Sequence, residues 1–124
     1  MIEHPDFLQL ARDVGDSIAG LAEPAVGGSR WQTDSFAGEP QHTTDVFTGN
    51  AGIVIFLADL FAATGETRYR DLAEGGAMWV ESESRAELTS AERDPSLFFG
   101  IAGHGLALLR LFQATDRRRN FTKY

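Results

Sequence analysis

Three histidines and no cysteine set the limits of the chemistry this chain can do. Without cysteine there is no disulfide and no thiolate to hold a metal. Imidazole suits proton transfer near neutral pH and is a common metal ligand. His4 lies in the N-terminal segment, His42 in a polar stretch and His104 within Ala102-Gly103-His104-Gly105. His104 is the candidate with the most context, a residue on a pocket or rim. Asn50, in the related stretch Gly49-Asn50-Ala51-Gly52, is the second such candidate. No Ser/His/Asp set and no carboxylate pair stands out from the 18 acidic residues. No catalytic, cofactor-binding or metal-ligating residue is therefore assigned, and no cofactor is expected in this chain.

Charge narrows the partners. The 124 residues carry a net charge of −7, which disfavours nucleic acid unless the basic residues cluster. The one cluster, Arg117-Arg118-Arg119, reads as a solvated helix start or frayed tail. No apolar run reaches the roughly 20 residues of a membrane span. The acidic start, Met1 to Asp6, lacks the basic region of a signal peptide. The default expectation is a cytoplasmic protein with no nucleic-acid or membrane partner.

The elements that would position His104 and Asn50 are helices. Pro5 and Asp6 suit a helix start, and Phe7, Leu10, Ala11, Val14, Ile18, Leu21 and Ala22 recur at spacings of three and four. An amphipathic helix over about 6–23 follows. Residues 24–46, rich in Gly, Ser, Thr and Pro, read as a long loop anchored by Trp31 and Phe36. Residues 50–64 are apolar nearly all round, with Asp59 the only charge, so they predict a buried helix ended by Gly65. A second amphipathic helix spans about 67–81, where Gly75-Gly76 would permit close helix approach. Residues 82–96 read as a charged loop, and 101–115 as a second apolar helix. Residues 117–124, with Phe121 and Tyr124, read as the interrupted start of another amphipathic helix.

These helices repeat. Moving the chain by 51 residues lays Phe47 on Phe98, Gly49 on Gly100, Ala51 on Ala102 and Gly52 on Gly103. Nine of the 18 positions from 47 to 64 are identical, including the closing Ala-Thr. At this offset His104 falls on Ile53. The amphipathic helices match at an offset of 62, with Phe7 on Tyr69 and Ile18 on Val80, so the first loop is the longer. A period near 50 marks a helical array in which one-faced helices lie outside and all-round apolar helices inside. The glycines would free φ for a tight entry and let neighbouring inner helices approach at their N-termini. Those N-termini would also point N–H groups at any ligand.

The stretches Phe47-Thr48-Gly49-Asn50-Ala51-Gly52-Ile53, Phe56 to Tyr69, and Leu97 to Thr115 resemble repeat units of the lanthionine synthetase C-like family. The resemblance covers residues 47–116 well. It implies an all-α fold, with helical hairpins forming part of an α/α toroid. It also implies an activity in complete members: addition of peptide cysteine thiols to dehydroamino acids. Those members use zinc held by two cysteines and a histidine, with a further histidine as acid/base. Here the chain departs from the family, having no cysteine.

Three functions follow. The first is the N-terminal portion of such a protein, inactive alone, completed by missing C-terminal repeats that would bind a peptide substrate. The second is a helical interaction module, a homo-oligomer or a partner-binding unit that covers its apolar ends. The third is part of a carbohydrate-active toroid, with Trp31, Trp79 and acidic residues handling sugar.

Overall fold

The computed structural model describes residues 6–25, 27–34, 37–91 and 93–123, with side chains through 116. His4, Pro5, Phe36 and Tyr124 fall outside the described residues, and the side chains of Arg117, Arg118, Arg119 and Phe121 outside the described side chains. Four helices and two short antiparallel hairpins follow one another as α1 (Phe7–Leu21), β1 (Glu23–Ala25), β2 (Gly28–Arg30), β3 (Thr33–Asp34), β4 (Pro40–Gln41), α2 (Asn50–Thr64), α3 (Thr67–Leu88) and α4 (Ile101–Lys123). The chain is mostly helical, in agreement with the all-α expectation.

Local chemistry sets the helix ends. The Asp6 carboxylate caps α1, accepting from the Gln9 N–H at 2.9 Å. Gly65 ends α2 in the left-handed region, φ 72°, and its N–H returns to the Phe61 carbonyl at 2.7 Å.

The core forms where α2 lies between α3 and α4. Ala51, Val54, Leu57, Ala58, Leu60 and Phe61 of α2 are all buried. Tyr69, Ala73 and Val80 of α3 and Ala107, Leu111 and Ala114 of α4 close around them. Asp59 of α2 and Arg110 of α4 pair at 3.1 Å, and these two residues occupy the same position of the repeat. Thr64 and Thr115, also equivalent, each bond back to the carbonyl four residues earlier, at 2.8 and 2.9 Å.

The structure corrects the sequence reading in several places. The loop over 24–46 contains both hairpins, which are too short for an alternating pattern to show. Helix α3 continues past 81 to Leu88, helped by an i,i+4 pair in which Arg85 reaches Glu81 at 2.7 Å. The backbone of α4 runs through 116 to Lys123 with no break, so no separate helix starts at 117.

The apolar stripe of α1 is largely uncovered. Phe7 is 73% exposed, Leu10 60% and Leu21 69%. Only Ala11, Ile18 and the following Ala22 reach the core. Helix α1 is instead held where Gly15 meets Leu60 and Tyr69; a Cβ there would sit 2.6 Å from Leu60 Cδ2. Polar contacts add to this. The Tyr69 hydroxyl lies 3.0 Å from Asp16, and Arg12 pairs with Glu66 at 3.3 Å.

The repeat glycines have a different role from the expected one. Gly49 is extended, with φ −134°, so freedom of φ is not what the site requires. Each glycine instead lets the incoming loop lie against the helix start. A Cβ on Gly49 would meet the Thr43 carbonyl oxygen at 2.7 Å, and one on Gly100 the Asp94 oxygen at 2.0 Å. Gly52 and Gly103 meet the carbonyls of Val46 and Leu97 at 2.4 and 2.2 Å. Residues 43 and 94, like 46 and 97, are one repeat apart. Only Gly103 also touches the other repeat, at Val46 Cγ2. The glycine pair does allow close approach, since Gly76 seats Val54 and Trp31 while Gly75 lies against β2 at Gly28 and Ser29.

Candidate functional site

His104 is 1% exposed, in the first turn of α4 facing α3. The Ser84 hydroxyl donates to the Val80 carbonyl at 2.7 Å. Its lone pair is then free to accept from His104, whose Nδ1 lies 2.8 Å away. That arrangement places the imidazole proton on Nδ1 and leaves a lone pair on Nε2. Nε2 is buried and has no hydrogen-bond partner among the described residues. Burial pushes the His104 pKa below its ordinary value, opposed by the negative charges of Glu87 and Asp45. His104 is therefore a neutral, preoriented acceptor. The Ser84 proton is directed at the Val80 backbone carbonyl.

Around His104 opens an apolar cavity of about 430 Å³. Ser84 and Leu88 from the end of α3, Pro95 from the loop, and Ile101, Ala102, Gly105 and Leu108 from α4 line it. The lengthening of α3 beyond 81 is what builds one wall.

Asn50, the other candidate, is fully buried beneath the first loop. Its Oδ1 accepts from the Trp31 N–H at 2.7 Å, and its Nδ2 donates to the carbonyls of Trp31 at 2.9 Å and Thr43 at 2.7 Å. All its side-chain capacity goes to holding the loop on α2. The structure does not bring Asn50 and His104 together; they stand at the heads of different inner helices. His42 lies on neither site, with its Nε2 2.6 Å from Glu23 Oε2, tying the segment after β4 to β1.

Sequence reasoning passed over Asp45 and Ser84, whereas Trp31 is the loop anchor it expected. Asp45 is 7% exposed and accepts from the N–H and hydroxyl of Thr48, at 2.6 and 2.9 Å, fixing the turn into α2. Its Asp-x-x-Thr spacing was the available signal.

Two readings lose their footing on this geometry. Three of the N–H groups at the helix starts are taken by the incoming loop and not free for a ligand: those of Asn50 and Ala51 donate to Thr43 and Thr44, and that of Ile101 to Asp94. Trp31 and Trp79 are 2% and 8% exposed, so neither indole offers a face on which sugar could stack. Zinc of the family's kind also finds no fit. The chain has no cysteine, and among the described residues no three of His, Asp and Glu converge.

No curated protein matches the chain. The family model for lanthionine synthetase C-like proteins matches residues 40–124. That span runs from the second hairpin through both glycine-headed inner helices and the outer helix between them, and the chain belongs to the lanthionine synthetase C-like family.

Proposed function

We propose that this chain supplies opening hairpins of an α/α toroid: a scaffold part that forms no thioether by itself. The observation that carries the reading is one stripe seen twice. On α2, Ala51, Val54, Ala58 and Phe61 share a face and are all buried. Helix α3 lies there, with Gly76 against Val54 and the Arg70 guanidinium 5.9 Å from the Phe61 ring centre. The counterparts on α4 are Ala102, Gly105, Leu109 and Phe112, and all four are exposed. That face is shaped for another outer helix of the same kind. The uncovered stripe of α1 offers a matching edge on which a ring would close.

The chemistry agrees with a scaffold role. Thiol addition in the family relies on a metal that deprotonates the thiol, and this chain brings none of the thiolate ligands. The test uses the chain with zinc and a peptide bearing one cysteine and one dehydroalanine. Free thiol, titrated by alkylation, should disappear no faster than in a protein-free blank. A zinc-dependent acceleration would overturn the reading.

The same two edges favour a second reading, self-association. Light scattering across a dilution series distinguishes them: a mass that stays monomeric removes the homo-oligomer. A dimer dispersed by Leu109→Glu with Phe112→Glu would establish it on the α4 face.

A further inference from the structure

The first repeat fills a slot that the second leaves open. Trp31 enters from the long loop. Its indole N–H donates to the Ile18 carbonyl of α1 at 2.8 Å, its backbone is held by Asn50, and its ring edge meets Gly76 beside Val54. The landmarks on α1 and α2 have counterparts at the His104 cavity, whereas Gly76 of α3 has none. Ile18 corresponds to Val80, whose carbonyl holds Ser84; Asn50 corresponds to Ile101; Val54 corresponds to Gly105. Ser84, Ile101 and Gly105 all line the cavity. The second loop is shorter by eleven residues and, among the described residues, sends no aromatic ring there.

We propose that this cavity is a binding site for a tryptophan side chain presented by a peptide segment. Its volume, about 430 Å³, lies in the range of small-ligand sites, and its walls are almost wholly apolar, as an indole requires. With Gly105 in place of Val54, the α4 wall carries no side chain at that point. A polar handle is also present. In the first repeat the indole N–H finds a backbone carbonyl, whereas here the equivalent carbonyl, Val80, already accepts from Ser84. His104 belongs to this wall, and its buried Nε2 is an acceptor without a partner among the described residues. With Ile101 in place of Asn50 there is no clamp for a backbone, so recognition falls on the side chain. The inference needs only the repeat and not the closed ring.

The probe is N-acetyl-tryptophanamide, titrated into the isotopically labelled chain and followed by amide chemical shifts. Saturable shifts confined to Ser84, Ile101, His104 and Gly105 are expected, with N-acetyl-leucinamide giving none. Gly105→Phe, whose ring would occupy the slot itself, should weaken binding by about tenfold or abolish it. The variant should fold, because a Cβ at Gly105 meets nothing within 4 Å. Three results would each overturn the proposal: no saturable shift in the parent chain, equal response to the leucine amide, or undiminished binding by a folded Gly105→Phe.

Discussion

Asn50→Ala is the substitution that most directly tests how the first loop is held. The side chain makes three hydrogen bonds, to the Trp31 N–H, the Trp31 carbonyl and the Thr43 carbonyl. Thr43 keeps the backbone N–H of Asn50 at 2.8 Å and is not orphaned. Both polar groups of Trp31 lose their partner inside the protein. A buried group left unsatisfied costs about 1–3 kcal/mol, so two of them cost roughly 3 kcal/mol. Against a total stability of about 5–15 kcal/mol for a domain, that is a large share. Urea unfolding followed by tryptophan emission reads it, since Trp31 and Trp79 are both buried and redden when the chain opens. Asn50→Asp should do no better, because it keeps the acceptor for Trp31 but sets a carboxylate against two carbonyl oxygens. A loss below about 1 kcal/mol for Asn50→Ala would refute the reasoning, since it would mean that water or relaxation satisfies Trp31.

Two glycines, one before α4 and one in its first turns, should answer an added methyl group in opposite directions. Gly100→Ala drives a Cβ onto the Asp94 carbonyl and should cost about 2 kcal/mol or more, whereas Gly105→Ala meets open space and should stabilise α4 by about 1 kcal/mol; calorimetric midpoints that move the same way would contradict both. His104 should give stability an acid-sensitive arm. Its pKa is lowered in the fold, so the unfolded chain takes up the proton more readily, and stability falls as pH drops below the ordinary 6.5. The slope should approach about 1.4 kcal/mol per pH unit at most and flatten in His104→Gln. Asp94, held below its ordinary 3.8 by hydrogen bonds from Ser96, acts only at lower pH and does not mask the effect. An unchanged slope in His104→Gln between about pH 6.5 and 5 would remove the assignment.

The repeat was readable because close packing leaves its mark on residue type. Where the Thr43 and Asp94 carbonyls come within reach of the helix start, no side chain fits, and glycine recurs at both places. The all-round apolarity of 50–64 likewise announced a helix enclosed by its neighbours. The candidate site was legible only as a lone histidine in a motif. Its cavity needs the last two turns of α3, which charged residues disguised as loop although Glu81 and Arg85 stand at helical spacing. The hairpins were hidden for another reason. Strands of two or three residues carry no periodicity, and Trp31 holds its place through a distant asparagine rather than through its neighbours in sequence. Helix α1 misled in the opposite sense: amphipathicity told which face is apolar but not whether anything covers it.

The pairing of Asp59 with Arg110 bears on how such an array can grow. The two residues occupy one position of the repeat, yet they carry opposite charge and touch. A tandem copy of either unit would set aspartate against aspartate or arginine against arginine. The exposed pair adds only about 0–1 kcal/mol, but the penalty for like charges falls on every wrong order. Duplication alone therefore cannot extend this scaffold without friction; each added unit must diverge at that position, and the divergence gives the units a sequence of assembly.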